Sequence, residues 1–361
     1  MRYIDDYRDG LLMKELVGEI RKISVSPVVL MEVCGSHTMA IHKFGIQSLL
    51  PPAIRLVSGP GCPVCVSSMG FVDKAIALSR MDHAITVTYG DLIRVPGSES
   101  SLEKERSNGS DIRIIYSLLE ALVIAKNNPE HPVIFPAIGF ETTAPATAAV
   151  VKKAAKEEIH NFFVLSAHKI MSPVLKALVD GPLKIDGFLA PGHVSAITGS
   201  SIYQELADKY GRCVVISGFE PVDIFQSIRM LINQVNSRQP RVEIEYSRVV
   251  KPEGNPAARR IMNEVFEPAD EIWRGFGNIP LSGLKFRKEY DRFDAEKIFP
   301  VKVPEFHEPA GCRCGEVLRG MIDPTACSLF AVSCTPDNPI GACMISSEGT
   351  CAAYYKYRKL T

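Results

Sequence analysis

Val28-Val29-Leu30-Met31-Glu32-Val33, followed by Cys34-Gly35-Ser36-His37-Thr38, reads as a strand, a glycine-bearing turn and the start of a helix. A short, nearly continuous apolar run suits a strand buried on both faces. The unit recurs down the chain. Strands are predicted over 28–33, 54–58, 84–88, 133–138, 162–166, 187–190 and 213–217. Helical segments over 72–79, 111–126, 147–158, 173–179, 203–210 and 222–235 lie between or after them. Strands alternating with helices predict an α/β fold with doubly wound parallel sheets. Functional groups then belong at the carboxyl ends of strands. The unusual residues sit in those turns: Cys34–Thr38, Gly59-Pro60-Gly61-Cys62-Pro63-Val64-Cys65, Gly139-Phe140-Glu141-Thr142-Thr143, Pro191-Gly192-His193-Val194-Ser195 and Gly218-Phe219-Glu220. The stretch from Val133 to Thr142 shares a Val, a Gly and a Thr with that from Val29 to Thr38, which suggests two similar halves facing each other.

The predicted organisation is a first α/β domain over 1–135, a second over 136–240, a connecting segment over 241–304 and a small loop- and helix-rich module over 305–361. The connecting segment holds a strand near 242–246, a helix near 257–266 and the loop 275–280. At 361 residues the chain exceeds one ordinary core. Its 41 basic and 41 acidic residues give no electrostatic reason to bind nucleic acid or an anionic membrane. The start, Met1-Arg2-Tyr3-Ile4-Asp5-Asp6, lacks the apolar core of a signal peptide, and no apolar run approaches the ~20 residues that span a bilayer. A cytoplasmic protein is expected.

In a reducing compartment, clustered cysteines point to metal or redox chemistry rather than structural disulfides. Six of the ten cysteines fall between Cys312 and Cys351: Cys312, Cys314, Cys327, Cys334, Cys343 and Cys351. Zinc competes for four thiolates but usually takes paired C-x-x-C knuckles, which this tail lacks. Irregularly spaced thiolates suit a [4Fe–4S] cluster, one at each corner. Two thiols are then left over. The arrangement resembles ferredoxin:thioredoxin reductase, where a one-electron cluster abuts a two-electron disulfide. That resemblance assigns Cys312, Cys327, Cys334 and Cys351 to the cluster and Cys314 with Cys343 to a redox dithiol.

Cys62 and Cys65 stand at a helix start, where backbone amides favour thiolate, either as a redox pair or as half of a metal site. Neighbouring strand ends bring Cys34 near them, and three soft ligands with an open side would hold iron. His37 is a fourth ligand, a proton donor or a partner behind the ligands. Ser36 and Thr38 suit plain helix caps.

These motifs, with Pro191–Gly199 and Glu348-Gly349-Thr350-Cys351-Ala352-Ala353-Tyr354-Tyr355-Lys356-Tyr357, resemble the hydrogenase maturation factor HypD family from about residue 30 to the end. The resemblance implies two α/β domains facing a cleft, plus a helical [4Fe–4S] domain. It implies a scaffold on which the Fe(CN)2CO group of [NiFe] hydrogenases is assembled, with Fe(II) on Cys34 and with Cys62 and Cys65 as supporting or redox thiols. The implied partners are a small chaperone, HypC, whose N-terminal cysteine shares the iron, and HypE, which carries cyanide as a thiocyanate. A monomer in transient complexes is expected. Glu141 and His193 are candidates for moving protons or orienting a ligand; Asp91, Arg94 and Glu220 are weaker ones. The competing function is an iron–sulfur disulfide reductase acting on a protein, which has no need of Cys34. A C-x-x-x-C-x-x-C motif and a G-x-x-x-x-G-K-[ST] loop are both absent, which leaves radical S-adenosylmethionine and P-loop chemistry without support.

Overall fold

Alternation within the strands decides the layering. In a strand, successive side chains point to opposite faces. Val28 and Leu30 pack on one side of their sheet and Met31 on the other. Cys213 and Val215 likewise oppose Val214 and Ile216, and Val133 and Phe135 oppose Ile134. Both faces of both sheets are therefore covered, as parallel sheets require.

The computed structural model describes residues 6–303 and 309–357, so the start read above (residues 1–5) and residues 304–308 and 358–361 lie outside the described part. The first sheet has five parallel strands in the order β2-β1-β7-β8-β9: β1 Val28–Glu32, β2 Ile54–Ser58, β7 Gly187–Pro191, β8 Cys213–Ser217 and β9 Val242–Ile244. The second has four parallel strands in the order β4-β3-β5-β6: β3 Ile85–Thr88, β4 Asp111–Ile114, β5 Val133–Gly139 and β6 Phe162–His168. The expected α/β class and paired parallel sheets are present. The boundary drawn at 135/136 does not follow the sheets. It cuts β5, and the first sheet takes strands from before and after the second sheet's segment, so the second is inserted between β2 and β7.

The segment 111–126, expected as one helix, divides. Asp111–Ile114 is an edge strand beside β3, and the helix begins only at Leu118. Ser117 and Glu120 form a reciprocal capping box there, satisfying amides that a continuous helix would not leave open. Residues 266–286, read in part as a loop, form an antiparallel hairpin of β10 Phe266–Trp273 and β11 Gly277–Phe286. Its far end carries the only Trp of the chain, Trp273, fully buried. From 309 to 357 the described residues hold short helices, Cys314–Leu318 and Thr350–Tyr357 among them, and no strand longer than a single bridge. No helix among the described residues is long and apolar enough to cross a membrane.

The helix Pro221–Ser237 lies over the outer face of the first sheet and buries Phe225 completely. Truncating a fully buried aromatic removes its transfer energy and leaves a cavity. Phe225→Ala should destabilise the chain by about 3–5 kcal/mol, measured by anaerobic urea unfolding; a change below ~1 kcal/mol would contradict this packing.

Candidate functional site

Each sheet has one place where successive strands depart in opposite directions. In the first it lies between β1 and β7, in the second between β3 and β5. Loops leaving such a pair diverge and open a crevice at the carboxyl ends. The two crevices face each other across one cleft of about 810 Å³. The first sheet lines it with Cys34 and His193, and the second with Tyr89, Asp91, Thr142 and Thr143.

Cys34 is held by backbone contacts that only glycine permits. A Cβ on Gly61 would stand 2.2 Å from the Cys34 nitrogen, and the Gly35 N–H donates to the Gly61 carbonyl at 3.2 Å. Two acids approach the same turn, Glu32 buried and Glu348 partly exposed. Glu32, at the end of β1, accepts from the Cys34 N–H at 3.1 Å and the Thr38 hydroxyl at 2.6 Å. Burial pushes Glu32 up to about 8. Glu348, from the tail, accepts from the Ser36 hydroxyl at 2.5 Å and lines the cleft. Ser36 and Thr38 are thus carboxylate donors, not plain caps. Burial, with the charge of Glu348 adding to it, pushes the Cys34 thiol up to about 12.

His37 is fully buried, bonded through Nε2 to the Gly218 carbonyl at 2.9 Å. Burial lowers it to about 4, so it is neutral at physiological pH. Phe219 is sandwiched between His37 (centroids 4.8 Å apart) and His193 (4.0 Å). The sandwich ties the turn after β1 to the turn after β7.

Cys62 and Cys65 begin the helix Pro63–Val66 behind the cleft; neither lines it. The Cys65 thiol donates to Cys62 Sγ at 2.6 Å. On its other side the helix carrying Cys65 packs against Ala342–Met344, which carries Cys343, and Cys62, Cys65, Cys314 and Cys343 share one buried core. All six tail cysteines line one small cavity with Val317, Leu329, Phe330 and Met344. A Cβ on Gly349 would stand 2.2 Å from the Cys343 carbonyl, and this close approach sets Glu348 and Cys351 on either side of that contact. Among the described residues, no three His, Cys, Asp or Glu side chains converge on a single metal-ion position.

The model of the HypD family, described as "Hydrogenase formation hypA family", matches residues 11–358. The chain is 44% identical to the hydrogenase maturation factor HypD of Cupriavidus necator, over 99% of this chain and 97% of that one. It is 45% identical to a putative hydrogenase expression/formation protein of Methanocaldococcus jannaschii, over 98% and 99%. The Escherichia coli hydrogenase maturation factor HypD is 40% identical over 99% of both chains. The chain belongs to the HypD family.

In this HypD-family chain, Cys34 and His193 share the cleft, whereas Cys62 and Cys65 join the tail thiols. Glu141 lies just behind the lining, 3% exposed. Its Oε1 accepts from the Met171 N–H at 3.0 Å, and its Oε2 is buried without a partner. Of the weaker candidates, Asp91 is in the cleft. Arg94 bonds the Pro336 carbonyl at 2.8 Å, and Glu220 caps a helix beside Arg8. Sequence reasoning passed over Glu32 and Glu348. Glu32 had a legible signal, a carboxylate inside an otherwise apolar strand. Glu348 had none beyond its motif, because its place depends on how the tail folds back.

Burial raises Glu141 to about 7 from an ordinary 4.5. The folded chain therefore holds a proton that the unfolded chain releases, and this contribution, complete below pH 4.5, is lost as pH rises through about 7. Relative to Glu141→Gln, the wild type should lose stability between pH 4.5 and 7 and run parallel above. Anaerobic urea unfolding at spaced pH values reads this, and a gap independent of pH would show a carboxyl ionised throughout.

Proposed function

We propose that this hydrogenase-maturation chain is the scaffold on which an Fe(CN)2CO group is assembled, with Fe(II) held as cargo on Cys34 in the cleft. The observation that carries the reading is the packing of the Cys65 helix against Ala342–Met344, which joins the loop behind the cleft to the six-cysteine cavity while Cys34 lines the cleft itself. A buried thiol that desolvation keeps protonated becomes a thiolate when a cation takes the proton's place. Soft thiolate raises electron density on ferrous iron, which cyanide and carbon monoxide prefer.

The tail cavity fits an iron–sulfur cluster by its donors: six thiols, apolar walls broken only by Arg313, and no carboxylate, with thiolates to spare for four corners. Cys312, Cys327, Cys334 and Cys351 would hold a [4Fe–4S] cluster, which when bound supplies electrons one at a time. Cys314 and Cys343, lining the same cavity, are the remaining pair and would store two.

Two electrons are what the chemistry consumes. Releasing cyanide from a thiocyanate, R–S–CN + 2e⁻ + H⁺ → R–SH + CN⁻, restores the donor thiol. Cys62 and Cys65 can give up that electron pair with two protons, forming a disulfide. Thiol–disulfide exchange with Cys343 and Cys314 then reduces it again. Their place outside the cleft supports this cycling role over direct ligation of the iron. His193 and Glu348 face the cargo, and Glu141 can move a proton at Oε2. The small chaperone HypC, sharing the iron through its cysteine, and HypE, the cyanide donor, are the partners this reading requires, in transient complexes in the cytoplasm.

Anaerobic co-purification with the small partner, followed by infrared spectroscopy, tests the scaffold. Cyanide and carbonyl stretches should appear in the wild-type complex and vanish in Cys34→Ala. A wild-type complex without them favours a protein disulfide reductase built from the same cluster and thiols. The Cys314→Ala/Cys343→Ala double variant should keep its cluster iron but lose most cyanide loading; normal loading would remove the dithiol from the pathway.

A further inference from the structure

The Cys65 helix packs against the Ala342–Met344 turn that carries Cys343, and both share a buried core with Cys314, which joins segments nearly 280 residues apart; thiol–disulfide exchange between them tolerates little misplacement. Something outside the cysteines fixes the distance. The β10–β11 turn touches both segments directly. Trp273 forms an antiparallel bridge with Ser67. The Arg274 N–H donates to the Val66 carbonyl at 2.9 Å, and its Nε to the Ser67 carbonyl at 3.0 Å. Val66 and Ser67 are the residues immediately after Cys65.

On the tail side the same turn meets the residue after Cys314. A Cβ on Gly275 would stand 2.4 Å from Gly315 Cα, and one on Gly315 would stand 2.8 Å from Gly275 Cα. Two glycines thus let the backbones touch. Gly275 also has φ +80°, which favours glycine.

The stem of the hairpin is anchored to the second sheet. Ser282 accepts the Ile170 N–H at 2.8 Å through its carbonyl, and the Trp273 indole N–H at 2.8 Å through its hydroxyl. Lys169, 1% exposed at the end of β6, donates through Nζ to Glu271 at 3.2 Å and to the Ile272 carbonyl at 3.1 Å. A lysine buried to this degree persists only where it is paired. This one is paired to the hairpin, close to the turn.

We propose that the β10–β11 turn is a positioning clamp for exchange between the Cys62/Cys65 and Cys314/Cys343 pairs, with Arg274, Gly275 and Gly315 as positioning residues and Lys169 as its anchor. The clamp rests on the reading of Cys314 and Cys343 as a redox dithiol. In the exchange, the Cys343 sulfur attacks Cys65 in a Cys62–Cys65 disulfide. That S–S bond breaks, and Cys62 leaves as a thiol with the proton from Cys343. Cys314 then attacks Cys343, and Cys65 leaves with the Cys314 proton. Two electrons and two protons pass from one pair to the other, and nothing else is consumed.

The test uses the full-length, cluster-loaded chain under anaerobic conditions. One equivalent of diamide, an azo oxidant that takes two electrons and two protons from a thiol pair, introduces one disulfide per chain. Alkylation at timed intervals and peptide mapping then show which pair holds it. In Gly275→Ala and in Gly315→Ala, passage between the pairs should slow by roughly tenfold to a hundredfold, with cluster iron and first formation of the Cys62–Cys65 disulfide unchanged. Lys169→Met should slow passage in the same direction, and it decides the matter if the glycine variants do not fold. Unchanged passage in folded, iron-replete variants overturns the clamp alone. A wild-type chain in which no disulfide reaches Cys314–Cys343, or a Cys343→Ala chain that loses its cluster iron, removes the dithiol reading and the clamp with it.

Discussion

Parallel strands can be added to a sheet on either side, and where the side changes the loops above diverge and leave space between them. This chain makes that change twice, once in each sheet, and the two gaps open on each other. Cys34 follows β1, the strand at which the first sheet reverses. Its turn is pressed against Gly61 so closely that a methyl group there would overlap its backbone. The His37–Phe219–His193 stack, the Ser36–Glu348 bond and the Glu32 carboxylate all fix that one turn from different directions. The site is built on strand ends rather than on a loop alone, the placement that fixes a functional group most closely.

The thiols divide in space by the work each suits. Cys34 looks into the cleft, where a partner can reach it. Cys62 and Cys65 line no part of it; their helix packs against Ala342–Met344, and Cys62, Cys65, Cys314 and Cys343 share one buried core. Burial pushes the Cys65 thiol up, and interactions with neighbouring thiols, with burial added, push Cys314 and Cys343 up, which keeps all three protonated. Electrons can then be stored as S–H bonds without placing uncompensated charge in the interior.

Much of the fold was legible because β-branched runs between glycine turns have few other uses. Seven predicted strands appear within a residue or two of their expected limits. Asp111–Ile114 was missed because its two charged residues, Asp111 and Arg113, and its merger with the next helix hid a four-residue edge strand, and the Ser117–Glu120 box marking the true helix start went unused. The hairpin was missed because Gly275, Gly277 and Pro280 read as loop. Its strands pair antiparallel and half-exposed, which periodicity alone resolves poorly. The motif residues were legible, but their grouping was not. Nothing local in Cys62–Cys65 says that its helix packs on the turn of Cys343, and nothing in Glu348 says that it reaches Ser36. Both facts depend on the tail folding back across the first sheet.

The central claim is that one iron is carried at Cys34 while a separate cluster sits among the tail cysteines, with the thiols between them free of metal. Anomalous diffraction above the iron absorption edge, from anaerobic crystals of the chain loaded together with its small partner, tests it most directly. The account predicts a multi-iron peak bounded by Cys312, Cys327, Cys334 and Cys351 and a distinct single-iron peak beside Cys34. Iron between Cys62 and Cys65, or no iron in the tail cavity, would contradict it.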